Sequence, residues 1–296
     1  METKLILVEG IPGSGKTTVA KRIKEFLEAQ NIEAALFCEG DVHPADLSWC
    51  SYLSIDEYNN IIYRYPQYSE VIKQNTVLED EYAVVAYTKL GFYPSENELM
   101  KYFEDHEVYD GRVPLERFSK IHFQRWGRFA DNAAAKNEIS IFECAYFQSH
   151  ICELMGTHVA DTDYISDHLI SLIETVQKLN PVIIYLTQPD IGQTIARVAK
   201  ERVSPDKSHS DWIDLVIAWV EKSNFGRMHG LTGFDGAIRF FEDRKSIELD
   251  TLCKLPINKF IIENPEYDWD EVFTKVKEIL ASLGVATTTK TDILAY

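Results

Sequence analysis

The stretch Gly10-Ile11-Pro12-Gly13-Ser14-Gly15-Lys16-Thr17 matches the phosphate-binding pattern G-x-x-x-x-G-K-[ST] at every fixed position. Its glycines let the backbone curl tightly, so that successive N–H groups can converge on the oxygens of a phosphate. We expect Lys16 to reach the β and γ phosphates of a nucleotide and Thr17 to place its hydroxyl on Mg²⁺. The pattern predicts ATP and Mg²⁺ as ligands. The predicted nucleotide-binding residues are Gly10, Pro12, Gly13, Ser14, Gly15, Lys16, Thr17 and Thr18.

The residues on either side of this loop have the patterns that a phosphate-binding loop requires. Residues 4–8, Lys-Leu-Ile-Leu-Val, form an apolar run typical of a strand buried on both faces of a parallel sheet. After the loop, Val19, Ile23 and Leu27 recur at helical spacing between charged residues. The sequence therefore predicts a strand, a loop and a helix in that order, with the positive end of the helix dipole aimed at the anion.

Composition limits the classes of partner. The chain of 296 residues is 45% hydrophobic and 26% charged, as in ordinary globular proteins, and no apolar run approaches the roughly 20 residues of a membrane span. A net charge of −17 disfavours nucleic acid, whose backbone needs a basic face. The first strand begins close to Met1 and leaves no room for a signal peptide, so we expect a cytoplasmic protein without membrane partners.

Further apolar segments at residues 34–38, 139–143, 181–186 and 259–262 predict four more strands, alternating with helices, and hence an α/β fold with a five-stranded parallel sheet in three layers. Between the second and third strands the chain is rich in aromatic residues with helical spacing. We therefore expect one domain, 1–296. Its parts are a core of 1–48, 137–200 and 256–283, a helical substrate-binding insertion at 49–136, a lid and irregular region at 201–255, and a tail at 284–296.

Two carboxylates follow predicted strands at the edge where ligands of open α/β sheets bind. Asp41 comes after the second strand and is our candidate for the base that accepts the proton of an attacking hydroxyl. Glu39 is a weaker alternative for that role, and Asp46 has the position of a turn or helix cap. Glu143 ends the third strand, the usual place for a carboxylate that holds Mg²⁺ or its waters or serves as a base.

Four arginines are further candidates. Arg125 and Arg128 lie three residues apart on one predicted helix, within reach of a common anion such as a substrate phosphate; a solvated or packed pair is the alternative. Arg197 and Arg202 follow the fourth strand on a basic helix that could close over the triphosphate as a catalytic lid, again with a solvated helix face as the alternative.

In these motifs the chain resembles the P-loop kinases of the nucleoside and nucleotide kinase group, including thymidylate kinases and deoxynucleoside kinases. The resemblance rests on residues 10–18, Asp41, Glu143, the run 185–190 leading into Arg197, and the run 262–265 with Trp269. It implies the P-loop NTPase fold with strand order 2-3-1-4-5. Deoxynucleoside kinases usually carry an arginine directly after the acid of strand three, whereas here residues 144–146 are Cys-Ala-Tyr.

The resemblance implies an ATP-dependent kinase that acts on a hydroxyl of a small molecule. The acceptor is either nucleoside- or nucleotide-like or, as in related phosphotransferases, an antibiotic or sugar. The partners that we expect are this acceptor and, as an open alternative, a second copy of the chain in a homodimer. A regulatory NTPase that hydrolyses nucleotide without an acceptor is the alternative function, although the sequence lacks a guanine-type N-K-x-D element.

Overall fold

The computed structural model describes residues 2–91, 97–206 and 209–286; residues 287–296 of the predicted tail lie outside these ranges. The strands are β1 (Leu5–Gly10), β2 (Ala34–Phe37), β3 (Ser51–Ser54), β4 (Thr76–Glu79), β5 (Tyr82–Val85), β6 (Ile139–Glu143), β7 (Val182–Thr187) and β8 (Asn258–Glu263). The α-helices are α1 (Lys16–Ala29), α2 (Ile55–Arg64), α3 (Ser69–Gln74), α4 (Asn97–Asp105), α5 (Leu115–Ala134), α6 (Gln148–Ile151), α7 (Thr162–Glu174), α8 (Ile191–Glu201), α9 (Trp212–Lys222), α10 (Asn224–His229), α11 (Gly233–Lys254) and α12 (Trp269–Ser282). A π-helical turn, Cys152–Thr157, continues α6.

Five strands form one parallel sheet in the order β2-β6-β1-β7-β8. Numbered among themselves along the chain, they have the order 2-3-1-4-5, so the expected α/β sheet and its strand order are confirmed. Every residue of β1 is buried, because alternate side chains enter different cores. Leu5 and Leu7 pack in the core that contains α5, α7 and α11, whereas Ile6 and Val8 pack with α1 and α12. Helices therefore cover both faces of the sheet.

This strand order sets the position of the candidate site. β6 lies between β2 and β1, with Phe142 beside Phe37 and Glu143 beside Val8. Parallel neighbours end at the same edge of a sheet. The loops after β1, β2 and β6 therefore meet at one edge, although they come from distant parts of the chain.

The insertion at 49–136 is not wholly helical, which corrects the sequence prediction. β3, β5 and β4 form a second, antiparallel sheet in that order, and this sheet packs against α2, α3 and α4. β4 and β5 are two short runs that each contain two β-branched residues, and they are joined by a turn at Asp80, which adopts φ of +44°. A turn between β-branched runs is a hairpin signal, and the helical spacing of the surrounding aromatic residues concealed it.

The sequence predicts a helix at 211–223, which α9 confirms, but none at 224–255. The region 201–255 is helical over most of its described length, so the prediction of irregular structure is wrong for the second part of this region. α9, α10 and α11 occupy it, and α11 alone extends over 22 residues. Its sequence misleads because charged residues interrupt the apolar pattern and two of them, Arg244 and Glu248, are buried against each other. The periodic pattern of an amphipathic helix depends on charged residues lying on its exposed face, and a buried ion pair places two of them on the buried face.

The helices within the described ranges include none that is both long enough and apolar enough to cross a lipid bilayer.

Candidate functional site

The loop between β1 and α1 is pressed against two other elements at its glycines. Gly13 has φ of +83°, and a Cβ there would lie 2.3 Å from Val198 Cγ2 of α8. Gly15 has φ of +92°, and a Cβ there would lie 2.1 Å from the indole of Trp269, the first residue of α12. Both the backbone conformation and the close approach exclude a side chain. Only glycine therefore fits at these two positions of the loop, in agreement with the glycines of the motif.

The first turn of α1 has the properties of an anion site. The helix begins at Lys16, and neither a side-chain cap nor an acidic residue in its first turn occurs among the residues described there. The first N–H groups of a helix lack partners within the helix and carry the positive end of its dipole. Lys16 is only 6% exposed, and its Nζ donates to the carbonyl of Ile11 at 3.0 Å. Its ammonium group thus lies inside the loop.

The structure brings together the two predicted metal ligands, Thr17 and Glu143. The Thr17 hydroxyl donates to Glu143 Oε1 at 3.1 Å, and the backbone N–H of Glu39 donates to Glu143 Oε2 at 3.2 Å. Glu143 is 4% exposed. Hydroxyl and carboxylate oxygens are ligands that Mg²⁺ accepts, so the donor set fits this ion.

Asp41 lies two residues after Glu39 on the same loop, but it is engaged in other contacts. Its carboxylate accepts from the N–H of Cys38 at 2.8 Å and from Lys89 Nζ at 2.8 Å. Partial burial alone would raise the pKa of Asp41, but the bonds from Lys89 and Cys38 outweigh it and hold the pKa below its ordinary value. Asp41 is therefore an ionised carboxylate at neutral pH, paired with Lys89.

The two predicted lid cations occupy different surroundings. Arg197 on α8 donates to Glu201 at 2.7 Å, and its guanidinium lies 3.8 Å from the ring centre of Tyr267. Because α8 also approaches Gly13, Arg197 belongs to an element that contacts the loop. Arg202 follows α8 and lies over the ring of Trp212 at 5.3 Å. Their catalytic role in closure stays a prediction.

Arg125 and Arg128 bind protein carboxylates. Arg125 is 1% exposed, donates to the carbonyls of His43 and Ala45 at 3.1 Å each, and pairs with Glu79. Arg128 pairs with Glu79 and Asp80. The two arginines line a cleft of about 380 Å³ that shares no lining residue with the loop 10–17. The arrangement is that of the packed alternative, in which β4 and its turn neutralise both arginines.

Glu9, the residue directly before the loop, is not among the residues that the sequence motif points to. Glu9 is 0% exposed, and its carboxyl accepts from the N–H of Tyr146 at 2.8 Å. Burial raises the pKa of Glu9 to about 8, with the nearby carboxylate of Glu248 adding to the rise. An acid inside a wholly buried strand is the signal that could have revealed it.

Two further residues of the site have no sequence signature. Lys89 comes from the insertion and reaches Asp41 only through the tertiary fold. Cys144 adopts φ of +66°, unusual outside glycine, and its thiol donates to Glu143 Oε1 at 3.0 Å. A strained residue beside a candidate metal ligand is typical of functional sites.

Comparison of the chain with protein-family models gave no match, and comparison with curated proteins gave no significant match.

Proposed function

We propose that this chain is an ATP-dependent phosphotransferase that moves the γ-phosphate to a hydroxyl of a small molecule. The observation that carries the proposal is the convergence of Lys16, Thr17 and Glu143 at the uncapped start of α1. A cation, a hydroxyl and a carboxylate around bare backbone N–H groups are the parts that phosphoryl transfer requires.

Each residue of this group has a distinct role. Lys16 and the N–H groups of the loop neutralise the charge that develops on the β- and γ-phosphate oxygens. Thr17 and Glu143 hold Mg²⁺, directly or through its waters. When bound, Mg²⁺ supplies further positive charge to the phosphates. Arg197 and Arg202 approach the phosphates when the nucleotide binds and help to exclude water.

Asp41 is the base in this proposal. It lies on the loop that contacts Glu143 through Glu39, and it faces the insertion through Lys89. An acceptor hydroxyl that displaces Lys89 from Asp41 would place its proton within reach of an ionised carboxylate. The acceptor is nucleoside- or nucleotide-like, or resembles an antibiotic or sugar, and the insertion that carries Lys89 forms part of its pocket.

Nucleotide binding is tested by thermal unfolding with Mg²⁺-ATP. A ligand that binds only the folded state at about 100 times its Kd raises Tm by about 5 °C in a chain of this size. Lys16→Ala should lose most of this shift, because the Lys16 ammonium group lies in the loop that would bind the phosphates. The Tm without ligand should stay the same. Lys24→Ala is the matched control, since Lys24 is on the same helix but pairs with Glu28. Equal shifts in all three proteins would contradict the proposal.

Phosphotransfer itself is tested by screening nucleosides, nucleotides, sugars and antibiotics for further stabilisation in the presence of an ATP analogue. Any acceptor that stabilises the protein is then assayed for phosphorylated product. Lys16→Ala should lower kcat by about 10²- to 10³-fold, the usual cost of removing one charge-stabilising group. Steady ATP hydrolysis with no phosphorylated acceptor from any class would support the regulatory NTPase instead.

A further inference from the structure

A second polar cluster lies in the interior, apart from the phosphate-binding loop. Asp46 follows β2, His122 is on α5 and His150 is on α6, and these residues are 5%, 0% and 0% exposed. One ligand atom from each lies within 4.8 Å of the others. Two imidazoles and a carboxylate are costly to bury together unless each polar atom has a partner.

One of these atoms has no partner. His150 Nε2 is fully buried and makes no hydrogen bond to any residue that the structure describes. The other ring nitrogen, Nδ1, lies 3.1 Å from His168 Nε2, and His168 Nδ1 lies 3.1 Å from the hydroxyl of Ser119. A chain in which His150 Nδ1 donates to His168, and His168 donates to Ser119, leaves a free lone pair on His150 Nε2.

The ring of His122 has a second unmatched lone pair. Its Nδ1 lies 2.9 Å from the carbonyl of Phe118, which can only accept, so the proton is on Nδ1 and Nε2 has a lone pair. Nε2 faces the hydroxyl of Tyr109 at 3.1 Å, but that hydroxyl also lies 2.5 Å from Asp46 Oδ1. Tyr109 has one proton for two acceptors. In the tautomer in which His150 Nδ1 donates to His168, lone pairs on two imidazoles and a carboxylate therefore converge with too few protons to satisfy them.

We propose that Asp46, His122 and His150 bind one divalent first-row transition-metal ion, with Zn²⁺ as the best chemical match, and that Tyr109 completes the ligand set. Imidazole nitrogens and a carboxylate oxygen are ordinary Zn²⁺ ligands. Atoms bonded to tetrahedral Zn²⁺ are about 3.4 Å apart, and His122 Nε2 and Asp46 Oδ1 are already 3.8 Å apart. Metal-bound histidines usually donate their other N–H to a carbonyl or neighbouring group. His122 Nδ1 does so to the carbonyl of Phe118, and His150 Nδ1 has His168 Nε2 in place to accept its proton.

Burial of all four side chains makes this a closed, structural site without a position for substrate. The ion would join the loop after β2 to α5 and α6. Coordination by Tyr109 would release its phenolic proton to solvent as the ion enters, because the phenolate oxygen is the ligand. This site is independent of the phosphotransfer proposal, since it needs neither nucleotide nor acceptor.

Metal content is the first test. The full chain, purified without an affinity histidine tag and without chelators, should contain about one equivalent of metal by elemental analysis. Removing the ion with a strong chelator should lower Tm by about 5 °C or more, and adding Zn²⁺ should restore it. Replacing Zn²⁺ with Co²⁺ should give the visible absorption of a tetrahedral site.

Two variants separate this site from adventitious binding. His150→Gln should lose the bound metal and the chelator-dependent shift in Tm. His209→Gln should keep both, because His209 is exposed and lies outside the cluster. If His150→Gln fails to fold, the chelation and Co²⁺ experiments on the unmodified chain decide. A protein that contains no metal, and whose Tm responds to neither chelator nor Zn²⁺, would overturn the proposal, as would equal metal loss in both variants.

Discussion

Two pairs of charged or polar groups lie close to the loop between β1 and α1, and the two pairs differ in what they contact. At the edge of the sheet, Thr17 binds Glu143 beside bare backbone N–H groups. Behind the loop, Arg244 donates to Glu248 at 2.6 Å, and both side chains are at most 1% exposed. Arg244 also donates to the carbonyl of Gly10 at 3.2 Å, and Tyr185 donates to Glu248 at 2.5 Å.

The difference separates groups that are able to bind a ligand from groups that hold the loop in place. Groups at the edge keep incomplete hydrogen bonding, which leaves them able to bind a ligand. Groups behind the loop are bonded to each other and to the backbone of the loop, which fixes its position. Substitutions at the edge should therefore reduce activity with little loss of stability, whereas substitutions behind the loop should reduce stability first.

The largest effect is expected behind the loop. Glu248→Gln leaves the Arg244 guanidinium buried without a counter-charge, which should lower the free energy of unfolding by about 3–5 kcal/mol. Asp243→Asn is the matched control, because Asp243 pairs with Arg239 at the same helical spacing but at the surface. That variant should lose about 0–1 kcal/mol. Urea unfolding of the three proteins measures this, and equal losses would remove the distinction between edge and interior.

At the edge, Asp41→Asn should lower kcat by about 10²- to 10⁴-fold and leave ATP affinity nearly unchanged, because it removes proton acceptance and no nucleotide contact. Glu39→Gln is the control, since Glu39 contributes its backbone N–H to Glu143. Kinetics with an identified acceptor and binding assays with ATP measure both properties. If Glu39→Gln loses activity and Asp41→Asn does not, the base has been assigned to the wrong carboxylate.

Glu143→Gln should have a smaller effect that depends on the metal. It keeps a hydrogen-bond acceptor for Thr17 but removes the charge, so Mg²⁺ should raise ATP affinity about 10-fold less than in the unmodified protein. Affinity without Mg²⁺ should change little. Titrations with and without Mg²⁺ for Glu143→Gln and Asp41→Asn decide the division of roles, which is reversed if Asp41→Asn is the variant that loses the metal effect.

An effect that depends on pH is expected at Glu9. The pKa of Glu9 is about 8 in the folded state and lies above the ordinary value of 4.5. At a pH between these two values, the carboxyl of Glu9 is protonated in the folded state and ionised in the unfolded state. This contribution is fully present below pH 4.5 and is lost as pH rises to about 8, by about 1.4 kcal/mol per unit. Glu9→Gln should remove that slope. Unfolding measured from pH 5 to 8 in both proteins tests this, and parallel curves would contradict the assignment.

The sequence predicted those parts of the molecule whose signals are local. The loop from Gly10 to Thr17 is contiguous, and the buried strands are apolar runs that need no knowledge of distant residues. The position of Glu143 beside the first strand followed from the strand order, which the resemblance implied and the sheet confirms. The helices within 224–255 and the hairpin of the insertion were missed, because tertiary burial overrode the periodicity on which such predictions depend.

Only the tertiary structure decided which charged side chains are free to bind a ligand. Nothing in the sequence near Arg125 shows that Glu79 neutralises it, or that Lys89 reaches Asp41. Asp46, His122 and His150 are separated by 76 and 28 positions along the chain. A contiguous motif such as the loop from Gly10 to Thr17 can be recognised from sequence, because the local backbone alone positions its groups. Charged and metal-binding clusters depend on contacts between distant elements, whose partners and burial are settled only when the chain has packed.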